Sequence, residues 1–305
     1  MIALGDPAAT RGLVYDIDTF AIHDGPGTRM AVYLKGCPLS CAWCHSPESQ
    51  RHAQELVLFR DRCTLCGACV TVCPQGVHTV TADAHTLDRE RCILCGACVE
   101  HCPQGALAIK GYWTTAADII TQAVRLKPFL VNARGGITLS GGEPTLQPAF
   151  TATVLAGCRE QGIHTAVETT AFCQWPVLKS VIDQADLVLM DIKLIDDAAH
   201  QRWTGVSNRQ ILQNAARLAG RNVQVRVPLI PAITDTVENI RGICRFMNDV
   251  GLKRIALLPY NPSAGAKYEW LDRPYRVEGE SQSPAYLQEL RDLAQRAGVE
   301  AVIVT

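Results

Sequence analysis

The chain has 305 residues, with 29 basic and 30 acidic side chains and a formal net charge of −1, so it carries no electrostatic footprint for nucleic acid or an anionic membrane. The length allows one large α/β domain plus a small insert, or two domains, and no apolar run approaches the roughly eighteen residues that a membrane-spanning helix needs. Fourteen cysteines are the compositional exception; in a reducing compartment such cysteines are more often metal ligands than disulfides.

The opening stretch, MIALGDPAATRG, lacks the charged-then-apolar layout of a signal peptide, which predicts a cytoplasmic protein. A DGPG turn containing Asp24 precedes the first predicted strand, 30–35. Directly after it come Cys37, Cys41 and Cys44, spaced C-x3-C-x2-C. Three thiolates can hold a 4Fe–4S cluster and leave one iron open to a small molecule, and an open metal position marks catalysis rather than structure. A distant fourth ligand would make this group structural instead.

Two further groups, Cys63, Cys66, Cys69, Cys73 and Cys92, Cys95, Cys98, Cys102, both read C-x2-C-x2-C-x3-C-P. They belong to an internal repeat, identical at 11 of 15 positions and offset by 29 residues. This is the bacterial two-cluster ferredoxin pattern, in which the fourth cysteine of each run ligates the other cluster. One cluster then takes Cys63, Cys66, Cys69 and Cys102, and the other takes Cys92, Cys95, Cys98 and Cys73. Gly67, Ala68, Gly96 and Ala97 let backbone N–H groups close around the cluster sulfurs. Zinc bound to four thiolates is the alternative. The segment 53–110 reads as a domain inserted into a larger unit made of 1–52 and 111–305.

Beyond it, predicted strands at 136–140, 164–168, 187–192, 223–229, 254–258 and 299–304 alternate with helical patterns at 115–126, 148–161, 176–184, 210–219, 237–250 and 284–297. Apolar strands alternating with helices imply a parallel sheet wrapped by helices, here a partial (β/α) TIM-type barrel. Active sites of that fold sit at the C-terminal strand ends. Cys37, Gly141–Glu143, Glu168 with Thr169, Asp191 with Lys193, and Pro259–Asn261 all fall at such ends. Cys158, Cys173 and Cys244 lie among apolar residues and read as small buried hydrophobes. Arg202 and Trp203 are expected on a loop, and 273–283 is expected to be a surface loop.

GCPLSCAWCHSPES, the DGPGTR before it and the two-cluster insert after it resemble the glycyl-radical-enzyme activating enzymes of the radical S-adenosylmethionine (SAM) superfamily. SGGEPTLQ, VETTAF, LMDIKLID, TGVSNRQIL, RVPLIPAITD and LLPYN extend the resemblance over nearly the whole chain. It implies a radical SAM barrel and three 4Fe–4S clusters, one of which binds SAM at Cys37, Cys41 and Cys44. It further implies reductive cleavage of SAM to methionine and a 5′-deoxyadenosyl radical that takes hydrogen from a backbone glycine of a partner glycyl radical enzyme. A flavodoxin or ferredoxin would supply the electron, and a monomer suffices.

The resemblance also assigns contacts. Gly141, Gly142 and Glu143 would approach the SAM amino group, and Trp43 and His45 would lie against the adenine. Lys193 would meet the SAM carboxylate, while Asp191 would meet the ribose or a monovalent cation, in a polar patch with Ile192, Glu168 and Thr169. Asp24 would position SAM or the incoming glycyl loop, its alternative being a simple turn residue. Asn261 stands where pyruvate formate-lyase activase carries a histidine; it can donate a hydrogen bond but cannot ionise. Another radical SAM target, or a non-catalytic electron carrier, are the competing readings, and the second leaves the three-cysteine loop without a purpose.

Overall fold

The computed structural model describes residues 4–304, so the first three residues of the N-terminal stretch lie outside it. In chain order the strands are β1 (Arg11–Ala21), β2 (Arg29–Leu34), β3 (Glu55–Leu58), β4 (His78–Val80), β5 (His85–Leu87), β6 (Leu107–Lys110) and β7 (Tyr112–Thr115). They continue with β8 (Gly136–Gly141), β9 (Thr165–Thr169), β10 (Leu187–Asp191), β11 (Val223–Pro228), β12 (Arg254–Leu258) and β13 (Glu300–Ile303). The seven strands expected from their apolar runs, β2 and β8 to β13, fall within one residue of the predicted bounds and all run parallel.

The sheet has nine strands in the order β13-β12-β11-β10-β9-β8-β2-β1-β7. One side of it was not foreseen: β1 runs antiparallel to both β2 and β7. The result is a mixed sheet with β13 and β7 at its edges rather than an all-parallel one. The sequence RGLVYDIDTFA is buried at Leu13 and Val14 but alternates to solvent further on, so it lacks the continuous apolar run that marks the central strands.

Alternation along each strand separates two jobs. Val188 and Met190 of β10 join the main core with Val167, Val225 and Ile255, while Leu187 and Leu189 face the other way. On that inner face the register sets Tyr33 beside Ser140 and Asp191 beside Arg226. The helices close the outer face. Ala116–Asn132 begins with a reciprocal Thr115–Asp118 capping box and Val237–Val250 with Thr236 accepting from the Asn239 N–H, each satisfying amides left over at a helix start. The first of these helices runs past the predicted end at 126: Pro128 forfeits one N–H bond near the C-terminus, and continuation buries Leu130. Arg202 and Trp203, expected on a loop, lie in the helix Asp197–Thr204, capped by the Asp196 side chain.

The cysteine-rich segment folds on itself. β3 pairs with β6 and β4 with β5, both antiparallel, around Leu56, Leu58, Cys69, Cys98, Ala106 and Leu107. The repeat is visible in the backbone: Leu65 and Leu94 share left-handed φ values of 57° and 55°, and Gly67 and Gly96 follow at 75° and 82°. A non-glycine residue in that region is uncommon and points to an imposed backbone shape.

Lys35 joins this segment to the sheet. Its fully buried ammonium donates to the Glu48 carbonyl at 2.7 Å and to Glu55 Oε2 at 3.0 Å. Arg273, on the stretch expected to be a surface loop, reaches the other oxygen of Glu55 at 2.8 Å. Removing one partner of a buried ion pair strands the other charge. Lys35→Met should therefore lose about 3 kcal/mol in urea unfolding, the low end of the range because Arg273 still pairs with Glu55. A loss below about 1 kcal/mol would show that the pair contributes no more than an exposed one.

Candidate active site

The loop carrying Cys37, Cys41 and Cys44 is held by its backbone. Gly36 N–H donates to Ser49 O, Cys37 N–H to Gln50 O, Ser40 N–H to Thr204 O and Ala42 N–H to Trp203 O. The helix Asp197–Thr204 is thus a strut for the cysteine loop. All three thiols line a cavity of about 270 Å³, together with Gly141, Gly142, Glu168, Asp191, Lys193 and Asn261. Trp43 and His45 also line it; the indole is buried and lies 6.5 Å from Trp203, centroid to centroid.

A second cavity, of about 810 Å³, shares Gly141, Glu168 and Asn261 with the first and extends to Asp24, Tyr33 and Arg226. Tyr33 donates to Asp24 Oδ2 at 3.1 Å, Ser140 donates to Glu168 Oε2 at 2.8 Å, and Arg226 lies 3.2 Å from Glu168. Lys193 Nζ is 2.7 Å from Asp191.

Three of the expected contacts are placed elsewhere. Glu143 is fully buried, and its carboxylate accepts five hydrogen bonds: from Thr145 N–H and Oγ1, Thr169 Oγ1, and Thr170 N–H and Oγ1. No lone pair is left aimed at a ligand, and Thr169 is consumed in the same network. Ile192 turns its side chain into the core behind the strand and spends its N–H on Arg226 O, because alternation puts it on the face opposite Asp191 and Lys193. The glycines have a packing reason as well. A Cβ on Gly141, whose φ is +105°, would lie 2.3 Å from Leu34 N, and one on Gly142 would lie 2.2 Å from Gly36 O. The turn is glycine because the cysteine loop crosses it at backbone distance.

Residues not singled out from the sequence complete the site: Thr170, Tyr33, Ser140 and Arg226. Tyr260 lines both cavities and meets Tyr275, hydroxyl to hydroxyl, at 2.8 Å. The parity that puts Arg226 beside Asp191 was in principle available from strand alternation, but only once the register was known.

Burial holds the Cys37 and Cys44 thiols above their ordinary pKa and pushes Cys41 up to about 12. These three cysteines, Cys41 buried and Cys37 and Cys44 half-buried, none in a disulfide, would stay protonated unless a cation draws the protons off, as metal binding does. The donor set therefore fits an iron–sulfur cluster. Burial would lower Lys193, yet Asp191 and the sulfurs of Cys41 and Cys37 hold it above the ordinary lysine value, which keeps a cation beside the thiols. Burial also pushes Glu168 up to about 7 despite Arg226.

The repeat cysteines are gathered in crossed sets. Cys63, Cys66, Cys69 and Cys102 line one cavity, and Cys92, Cys95, Cys98 and Cys73 line another. Cys158 and Cys244 are fully buried in the core, and Cys173 is half-buried against it.

The radical SAM superfamily pattern matches residues 91–247, and a 4Fe-4S dicluster domain matches residues 62–107. The choline trimethylamine-lyase activating enzyme of Oleidesulfovibrio alaskensis is 38% identical over 88% of this chain and 90% of its own length. The trans-4-hydroxy-L-proline dehydratase activating enzyme of Clostridioides difficile is also 38% identical, over 95% of this chain and 98% of its own. A radical SAM methyltransferase from Sphaerobacter thermophilus shares the fold, with a TM-score of 0.52 at 13% identity over 90% of this chain and 66% of its own. Fold and site together define a radical SAM protein. Within that superfamily the chain belongs to the glycyl-radical-enzyme activating enzymes. No helix among the described residues is long and apolar enough to cross a membrane.

Glu168 gives the site a pH signature. Its folded pKa of about 7 exceeds the ordinary value of 4.5, so the folded state binds more protons between those values. Its contribution to stability is full below about 4.5 and is lost as the pH rises through 7. Asp24, raised by burial, acts in the same sense. In Glu168→Gln the slope of unfolding free energy between pH 5 and 7 should flatten; an unchanged slope would assign that titration elsewhere.

Proposed function

We propose that this protein activates a partner glycyl radical enzyme, with SAM bound in the cavity at Cys37, Cys41 and Cys44. The observation that carries the reading is the convergence of these cysteines with Gly141, Glu168, Asp191 and Lys193 on one cavity, in a chain similar over most of its length to activating enzymes. When bound, the cluster and SAM supply one-electron cleavage to methionine and a 5′-deoxyadenosyl radical, whose target is the Cα hydrogen of a glycine in the partner.

The protein's own residues position and shield that chemistry. In this reading Lys193, kept charged beside Asp191, binds the SAM carboxylate, and Gly141 and Gly142 offer backbone to the amino group. Asp191 and Glu168 hold the ribose hydroxyls or a monovalent cation. Trp43 and His45 bound the adenine side, and the amide nitrogen of Asn261 donates at the rim, its Oδ1 being occupied by the Ser263 N–H. The larger cavity admits the glycine-bearing loop and meets the SAM cavity at Glu168, with Asp24 and Arg226 lining the approach. The segment 53–110 holds two further 4Fe–4S clusters on its crossed cysteine sets and receives electrons from a flavodoxin or ferredoxin. The protein acts as a monomer in the cytoplasm.

Anaerobically reconstituted, dithionite-reduced protein should convert SAM to 5′-deoxyadenosine, and Cys41→Ala should show no product above the protein-free control. Iron-loaded wild type that releases none would overturn the catalytic reading and favour an electron carrier. Lys193→Met should weaken SAM binding by roughly ten- to hundred-fold, the loss of one charge-assisted hydrogen bond to a carboxylate. Unchanged affinity in isothermal titration of the reconstituted protein would remove Lys193 from the binding role.

A further inference from the structure

The two crossed cavities descend from one repeated sequence, and the copies differ at a pair of positions facing the cysteines. With the 29-residue offset, His85 corresponds to Leu56 and His78 to Leu107. The registers agree: His78 pairs with Leu87 in the β4–β5 ladder, and Leu107 with Leu58 in the β3–β6 ladder. Leu56 and Leu107 sit in the small apolar core, as their position requires. Their counterparts are just as buried, at 4% and 2% exposed, yet they are imidazoles. Two polar rings in a place where the duplicate tolerates leucine call for a reason beyond packing.

Their contacts supply one. His85 lines the cavity of Cys63, Cys66, Cys69 and Cys102, and His78 lines the other. His78 Nδ1 is 3.0 Å from His85 Nε2, so one proton lies between them. His85 Nδ1 is 3.5 Å from Cys63 Sγ, and its Nε2 is 3.7 Å from Cys69 Sγ. A Cys63 sulfur that ligates a cluster is a thiolate, which accepts a hydrogen bond and cannot donate one, so His85 carries its proton on Nδ1, toward Cys63, and its Nε2 accepts the proton shared with His78 Nδ1. The network is therefore directed, from His78 to His85 to sulfur.

We propose that His85, oriented by His78, donates a hydrogen bond to Cys63 Sγ and thereby raises the reduction potential of the cluster on Cys63, Cys66, Cys69 and Cys102. The inference rests on reading the eight repeat cysteines as the ligands of two 4Fe–4S clusters. A donor on a ligand sulfur favours the reduced cluster, which carries one more negative charge, and hydrogen bonds to sulfur are among the main determinants of such potentials. The twin cluster has Leu56 in the corresponding place and lacks this bond. The histidine pair thus makes two clusters of nearly identical ligand sequence electronically unequal. His78 is a positioning residue, since it reaches the sulfur only through His85.

The test uses the full chain, reconstituted anaerobically, with metal content measured and cluster reduction followed by EPR at poised potentials. His85→Leu, which installs the residue of the other repeat, should keep the wild-type iron content and lower one midpoint potential while leaving the others in place. His85→Asn, whose amide nitrogen can stand on the Nδ1 side, should recover most of that shift, and His78→Leu should lower the same potential by less. Unchanged potentials in iron-replete His85→Leu, an upward shift, or loss of iron from both His85 variants would overturn the proposal. So would stoichiometric zinc in the wild type, because His78, His85 and Cys69 present ligand atoms within 4.8 Å of one another. A wild type that retains iron only for the cluster at Cys37, Cys41 and Cys44 would instead bring down the two-cluster reading, and this inference with it.

Discussion

A carboxylate buried with no cation beside it among the described residues governs the geometry of the cavity at Cys37, Cys41 and Cys44. Burying Glu143 would be costly unless its charge were met by donors, and five hydrogen bonds from Thr145, Thr169 and Thr170 meet it. Those donors come from the turn after β8 and from the end of β9, so the carboxylate ties two neighbouring strand ends together. Its own N–H donates to Gly36 O, and the Gly142 N–H donates to Leu34 O. The turn after β8 is consequently fastened to the entrance of the cysteine loop on one side and to β9 on the other. Thr170 and the two glycines reach the cavity because Glu143 does not.

Strand parity then decides which polar groups face inward. Tyr33, Ser140, Glu168, Asp191 and Arg226 belong to one face of the sheet, and Val32, Leu139, Val167, Met190 and Val225 belong to the other, where the helices cover them. A slip of one residue in any pairing would exchange the two sets. The apolar set thus does more than fill the core: by fixing register it aims the carboxylates and the guanidinium at the same space. Their charges largely compensate one another, with Arg226 against Glu168 and Lys193 against Asp191, which lets a polar wall persist where water access is limited.

The parts of the molecule that were legible in the sequence are those whose signal is local. Cysteine spacing, a 29-residue repeat and runs of apolar residues are each contained in short windows, and the crossed cysteine sets and seven parallel strands follow from them. What was illegible depends on partners far along the chain. β1 is a strand because β2 and β7 flank it, and its mixed pattern alone does not announce that. Glu143 looked like a ligand contact because it follows two glycines at a strand end; only the threonines that arrive from the next strand reveal it as structural. The helix Asp197–Thr204 has a polar composition typical of a loop, and it is stabilised by capping and by the backbone bonds it lends to the cysteine loop.

The insertion of the cysteine-rich segment follows a related logic of closure. Its entry and exit are adjacent: Glu55 pairs with Lys110 in the β3–β6 ladder, and the Gln54 side chain donates to Gly111 O at 2.8 Å. A neck this narrow would act as a hinge if nothing else crossed it. Further contacts do cross. Lys35 and Arg273 hold Glu55 from the sheet side, Leu58 N–H donates to Trp270 O, and Arg89 reaches Trp270 O and Asp272. Residues 270–273 belong to the stretch that follows Asn261 at the rim of the cavity at Cys37, Cys41 and Cys44, and Lys267, a few residues earlier, pairs with Glu48 beside the cysteine loop. The same stretch therefore braces the inserted segment and the cysteine loop at once. The buried Glu55 pair thus fixes the spacing between the inserted segment and the sheet where the covalent chain alone would not.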